Sequence, residues 1–183
     1  MLYLIRHSGV HVRPDRPGPE WHLSEEGRTA IEALGREPRW GTLGRLYTSP
    51  EPKAVATAQR LAAPHGLLIT IEAALREVEN RPWVGEGYAE QVRRYLAGEA
   101  ADPWEAKAGA LDRVRACLAG ISGRHPEGDV GVVSHGLVLT IYLADLVGLD
   151  GAAAHELWQR IRMPDVAVVD PVAATIERAF GKS

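Results

Sequence analysis

Cysteine is nearly absent from this chain: Cys117 stands alone among 183 residues, so no intramolecular disulfide can form and no Cys-rich metal site is possible. That usage suits the reducing cytosol, and a cytoplasmic location is the expectation. There is also no run of about 18 uncharged apolar residues. Strand-like sequence begins already at Leu2, with no basic leader and no small-residue cleavage site ahead of it. An untargeted protein that meets no membrane is therefore expected. Charge of neither sign dominates, and a formal net charge of -3 leaves no electrostatic footprint for nucleic acid. Internal repeats and low-complexity tracts are missing too, so the simplest organisation is one domain over 1–183, with a short lid-like segment around 80–102.

What is present looks globular, with 45% hydrophobic and 25% charged residues. Short β-branched or apolar runs occur at Leu2 to Ile5, Arg45 to Thr48, Leu67 to Ile71, Val130 to Ser134 and Val166 to Val169. Between most of them lie stretches with helical spacing, at Glu25 to Arg36, Lys53 to Ala63, Trp104 to Ile121 and Leu137 to Val147. The alternation predicts an α/β fold, a three-layer αβα sandwich with a mostly parallel central sheet and helices on both faces. Ser24, followed by Glu25 and Glu26, has the chemistry of a helix N-cap. The Pro- and Arg-rich stretch from Val10 to Trp21 and the segment from Asn80 to Tyr88 read as loops.

In open α/β sheets, ligands gather outside the carboxyl ends of the strands. The first run ends in Arg6-His7, the second in Thr48-Ser49-Pro50 with Lys53 close behind, and the fourth in Ser134-His135-Gly136. Two imidazoles accompanied by two cations and by glycines at Gly9 and Gly136 suit a bound phosphate. A metal site is the competing use of a histidine pair. It would want three or four ligands, and Arg6 beside His7 opposes a divalent cation. No metal and no cofactor are expected.

Leu4-Ile5-Arg6-His7-Ser8 resembles the Leu-x-Arg-His-Gly strand end of the histidine phosphatase superfamily, which includes the phosphoglycerate mutases and a large branch of small phosphatases. Ser49-Pro50-Glu51-Pro52-Lys53-Ala54 followed by Thr57-Ala58, Leu75-Arg76-Glu77 followed by Trp83-Val84-Gly85, and Val133-Ser134-His135-Gly136 resemble further elements of it in the right order. Leu23-Ser24-Glu25-Glu26-Gly27 is similar to its first helix start. Two positions depart: Lys53 stands where the family has arginine, and Ser8 where it has glycine.

The resemblance implies a phosphoglycerate mutase-like fold and a covalent mechanism. His7 would be the nucleophile and Glu77 the general acid. Arg6, Lys53 and His135 would hold the transferring phosphoryl group, with Ser8, Arg13 and Gly136 as further candidate phosphate contacts. The implied partner is a phosphorylated small molecule. The short lid favours hydrolysis over transfer back to a sugar acid, with a phosphoglycerate mutase-like transferase or a phosphoprotein (phosphohistidine) phosphatase as alternatives. A phosphate-binding module without catalysis is the non-enzymatic alternative. The natural substrate and the oligomeric state are not readable from the residues.

Overall fold

The computed structural model describes residues 1–78, 85–99 and 103–181. Six strands form one sheet: β1 (Leu2–Arg6), β2 (Arg45–Thr48), β3 (Ile69–Ile71), β4 (Val130–Ser134), β5 (Asp165–Asp170) and β6 (Thr175–Arg178), in the order β3-β2-β4-β1-β5-β6. The first four are mutually parallel. The last two run antiparallel to their neighbours and close one edge. The described helices are α1 (Glu25–Gly35), α2 (Pro52–Ala62), α3 (Tyr88–Leu96), α4 (Lys107–Arg124), α5 (Gly136–Val147) and α6 (Gly151–Arg160).

The period-2 pattern of the strands separates two cores. Leu2, Leu4, Val130, Val132, Ala167 and Val169 face α3 to α6, whereas Ile5, Leu46, Val133 and Val166 face α1 and α2. Helices therefore cover both faces, which is the expected three-layer sandwich. α5 runs through the larger core, with every residue from Gly136 to Ala144 buried. Burying each of Leu137, Leu139 and Ile141 stabilises by about 1.5–3 kcal/mol. This helix is apolar all round because it is covered all round.

Local signals account for the helix ends. The Ser24 hydroxyl accepts from Gly27 N at 3.0 Å, capping α1. Pro52 occupies the first turn of α2, where its missing N–H costs nothing. Gly148 ends α5 at φ 69°, the left-handed conformation that glycine adopts without strain.

Three elements were not read from the sequence: α3, α6 and β6. The fourth helix begins at Lys107 rather than Trp104, because Trp104 is used in packing, with its ring 5.7 Å from Tyr88 and 5.6 Å from Tyr95. Of the expected lid, Asn80, Trp83 and Val84 lie outside the described residues. Its described part is largely the helix α3, packed on α6. Among the described residues no helix is long and apolar enough to cross a membrane.

Candidate active site

β1 and β4 are parallel neighbours with Arg6 opposite Ser134, and β2 lies on the other side of β4 with Thr48 opposite Val133. The residues that follow these strands emerge at one edge. His7 and His135 come together there, with ring centroids 5.2 Å apart at an interplanar angle of 61°.

His7 is 6% exposed. Its Nδ1 lies 2.8 Å from the Ser8 carbonyl oxygen. A carbonyl only accepts, so Nδ1 carries the proton and Nε2 keeps its lone pair. Burial, then the charges of Lys53 and Arg6, hold this imidazole well below the usual histidine range, against the opposing Ser8 bond. The ring is neutral at neutral pH. His135 is fully buried and is likewise held well below that range, first by burial and then by Lys53, with His7, Arg6 and Arg113 adding to it. Its Nε2 lies 2.7 Å from Ser49 Oγ, while its Nδ1 has no hydrogen-bond partner among the described residues.

A cavity of about 250 Å³ opens above His7. Arg6, His7, Glu51, Lys53 and Glu77 form its polar floor. Arg6 donates from Nη1 to the Ile161 carbonyl at 2.7 Å, while its Nε has no hydrogen-bond partner among the described residues. Lys53 is buried, and its ammonium donates to Glu51 Oε2 at 2.6 Å and to the Gly18 carbonyl at 2.8 Å. The Glu77 carboxylate sits over the start of α5, where it accepts from Val138 N at 2.8 Å and Leu137 N at 3.1 Å, and it also accepts from Val78 N at 2.9 Å. Those amides favour its ionised form. Burial outweighs them, with help from the nearby Glu51 charge, and the carboxyl is raised above the ordinary range. Arg113 of α4 steadies this segment by donating to the carbonyls of Ala74 at 2.7 Å and Arg76 at 3.0 Å.

Four of the expected phosphate contacts, Arg13, Ser8, Gly136 and His135, add no surface to the cavity. Arg13 is turned aside, because its guanidinium makes a two-point pair with Asp15 at 3.0 and 2.9 Å on an exposed loop. Ser8 is buried with its hydroxyl donating to the Gly27 carbonyl at 2.6 Å and its amide to Thr57 Oγ1 at 3.0 Å. It ties the end of β1 to α1 and α2. Neither Ser8 nor Gly9 adopts positive φ. Gly27 has no side chain because a methyl there would overlap the Gly9 carbonyl oxygen. Gly136 does not line the cavity either. A Cβ at that position would sit 3.0 Å from Arg6 Cζ, so its absence makes room for the guanidinium, and the α5 amides beyond it are taken by Glu77. His135 touches His7 but is buried behind it and adds no surface to the cavity.

The sequence pattern that defines the histidine phosphatase superfamily (branch 1) matches residues 2–170. The chain belongs to that superfamily. This superfamily member is 28% identical over 138 residues to phosphoserine phosphatase 1 of Hydrogenobacter thermophilus, covering 70% of this chain but only 65% of the relative's length. Its fold is that of Bacillus stearothermophilus YhfR, with a TM-score of 0.78, 22% identity and coverage of 100% of this chain and 96% of the other. It is also that of a mycobacterial glucosyl-3-phosphoglycerate phosphatase solved with inorganic phosphate, with a TM-score of 0.76, 19% identity and coverage of 100% and 97%.

Sequence reasoning missed Glu51. It occupies a position that the superfamily's motif leaves open, and nothing in its immediate neighbours distinguishes it from a surface acid. Here it is 7% exposed, paired with Lys53, accepting from Glu77 N at 2.8 Å and lying 3.4 Å from His135 Nε2. Lysine at 53 has no planar fork with which to brace itself; Glu51 and the Gly18 carbonyl brace it instead. Lys53→Met should therefore leave a buried carboxylate unpaired and cost about 3–5 kcal/mol in urea unfolding. Adding Glu51→Gln should restore most of that loss. A cost under about 1 kcal/mol, the value of an exposed pair, would count against this arrangement.

Proposed function

We infer that this superfamily member hydrolyses phosphate monoesters of small molecules in two steps, through a phosphohistidine on His7 and without a metal ion. The observation that carries this reading is the state of His7: neutral, its Nδ1 proton pinned on the Ser8 carbonyl, and its Nε2 lone pair left for the substrate. In the first step Nε2 bonds to phosphorus as the ester P–O bond breaks. The leaving oxygen takes its proton from Glu77. The ring then carries positive charge, which the Ser8 carbonyl stabilises through Nδ1. In the second step water attacks phosphorus, gives a proton to the Glu77 carboxylate, and releases phosphate and neutral His7.

Arg6 and Lys53 supply the charge that stabilises the transferring group, each with donor capacity beyond its protein contacts. His135, whose Nδ1 has no hydrogen-bond partner among the described residues and whose ring packs on His7, is the candidate third donor. A labelled monoester quenched in alkali should leave one acid-labile, base-stable phosphoryl group per chain on His7, with EDTA present throughout. Labelling elsewhere, or none while phosphate is still released, would overturn the reading. So would formation of an isomeric phosphoglycerate in place of phosphate.

A further inference from the structure

The walls above the polar floor are unlike the floor. Val10, Val12 and Trp21 come from the loop after β1, Tyr88 from α3, Trp158 from α6, and Met163 from the turn before β5. Among the described residues no charged side chain lines the cavity outside the floor. The Trp21 indole N–H donates to the carbonyls of Arg13 at 3.0 Å and Arg16 at 3.2 Å, and the residue lines the cavity. Tyr88 and Trp158 meet edge to face with centroids 6.0 Å apart, forming one aromatic wall.

The floor has little charge to spare for anything except phosphate. Its two cations, Arg6 and Lys53, share it with two carboxyl groups, Glu51 and Glu77. A substrate bringing a second carboxylate would meet those acids with no described cation above them. A substrate ammonium beside the phosphate would meet the charges of Arg6 and Lys53 and compete with Lys53 for Glu51. Desolvating such a group without a partner is costly, whereas covering apolar carbon is favourable.

We propose that the cavity mouth selects phosphate esters of uncharged apolar alcohols, with an aromatic ring seated between Trp21, Tyr88 and Trp158, over esters with a carboxylate or ammonium beside the phosphate. This rests on the hydrolase reading and narrows it. Benzyl phosphate, O-phosphoserine and 3-phosphoglycerate test it, since all three lose a primary alkoxide and leaving-group chemistry is matched. Benzyl phosphate should show a kcat/KM at least about tenfold above both others. Trp158→Ala should cut that ratio by roughly tenfold, chiefly through the KM for benzyl phosphate. Met163→Lys, at a site 42% exposed and so tolerant of change, should shift the ratio toward 3-phosphoglycerate.

Equal or better turnover of phosphoserine or phosphoglycerate by the native protein would overturn the proposal and leave the hydrolase reading standing. Ratios that neither variant moves would do the same. Failure to release phosphate from all three esters and from p-nitrophenyl phosphate would instead remove the hydrolase reading, and this proposal with it.

Discussion

His7→Ala should lower kcat by on the order of 10⁴-fold or more, the scale of losing a nucleophile that acts as part of a unit. The expectation follows from the absence of a substitute. The nearest imidazole, His135, is buried behind His7 and its Nε2 is engaged with Ser49. Glu51 and Glu77 carry carboxyl oxygens that are already bonded to Lys53 or to backbone amides. Release of phosphate from p-nitrophenyl phosphate, followed with EDTA present, measures the effect, and a thermal melt checks that the variant folds. A folded variant within about tenfold of the native rate would show that phosphorus is attacked by something other than this ring.

Glu77→Gln should lower kcat for an alkyl ester by roughly 10²- to 10⁴-fold, the contribution of a positioned general acid. The loss should be much smaller for p-nitrophenyl phosphate, whose leaving oxygen needs little protonation. The pH profile gives the sign independently. Glu77 donates only while protonated and its pKa is raised, so the rate falls as pH climbs through that raised value. A bound phosphate dianion pushes the value higher still. His7 attacks only while neutral and its pKa lies well below 6.5, so the acid limb lies well below pH 6.5. The variant should keep the acid limb and lose the alkaline one. Its amide nitrogen would face one of the three backbone N–H donors, so a stability cost of about 1–3 kcal/mol is expected alongside. An alkaline limb that survives the substitution would assign the acid elsewhere.

Much of the candidate site's geometry was legible because it sits where regular structure ends. Arg6-His7 and Ser134-His135 follow strands whose apolar runs are unmistakable, and once the strands are parallel neighbours the rings must meet. Lys53 was legible for a similar reason, one residue inside a helix opened by Pro52. The residues that do not line the cavity share a different cause. Ser8, Arg13 and Gly136 lie beside the reacting groups in sequence, but a hydroxyl, a guanidinium or a bare Cα is committed by whatever crosses it in space: Gly27, Asp15 and Arg6. Those partners are distant or undistinguished in the chain. Glu51 escaped notice because its importance arises only on burial next to Lys53.

The missing elements have equally local explanations. α3 carries the charged and polar residues Glu90, Gln91, Arg93 and Arg94 among its apolar anchors, so its apolar signal is narrow. α6 opens Gly-Ala-Ala-Ala and buries only Ala154 fully. β6 is a four-residue edge strand with no fully buried position, and short edge strands carry the weakest alternation. The mouth of the cavity draws on α3 and α6, so the part of the site that chooses the alcohol was the part least visible in the chain.

Because β1 and β4 share one backbone ladder, the distance between the two rings is inherited from the repeat of a sheet, about 4.8 Å from strand to strand, rather than from any loop. The rim, by contrast, is assembled from a surface loop, two peripheral helices and a turn. An engineer can therefore treat the exposed residues 11–16 and the exposed ends of α3 and α6 as interchangeable parts, randomising them in a library while the imidazole pair keeps its spacing. New selectivities should come from such libraries far more readily than new reactions.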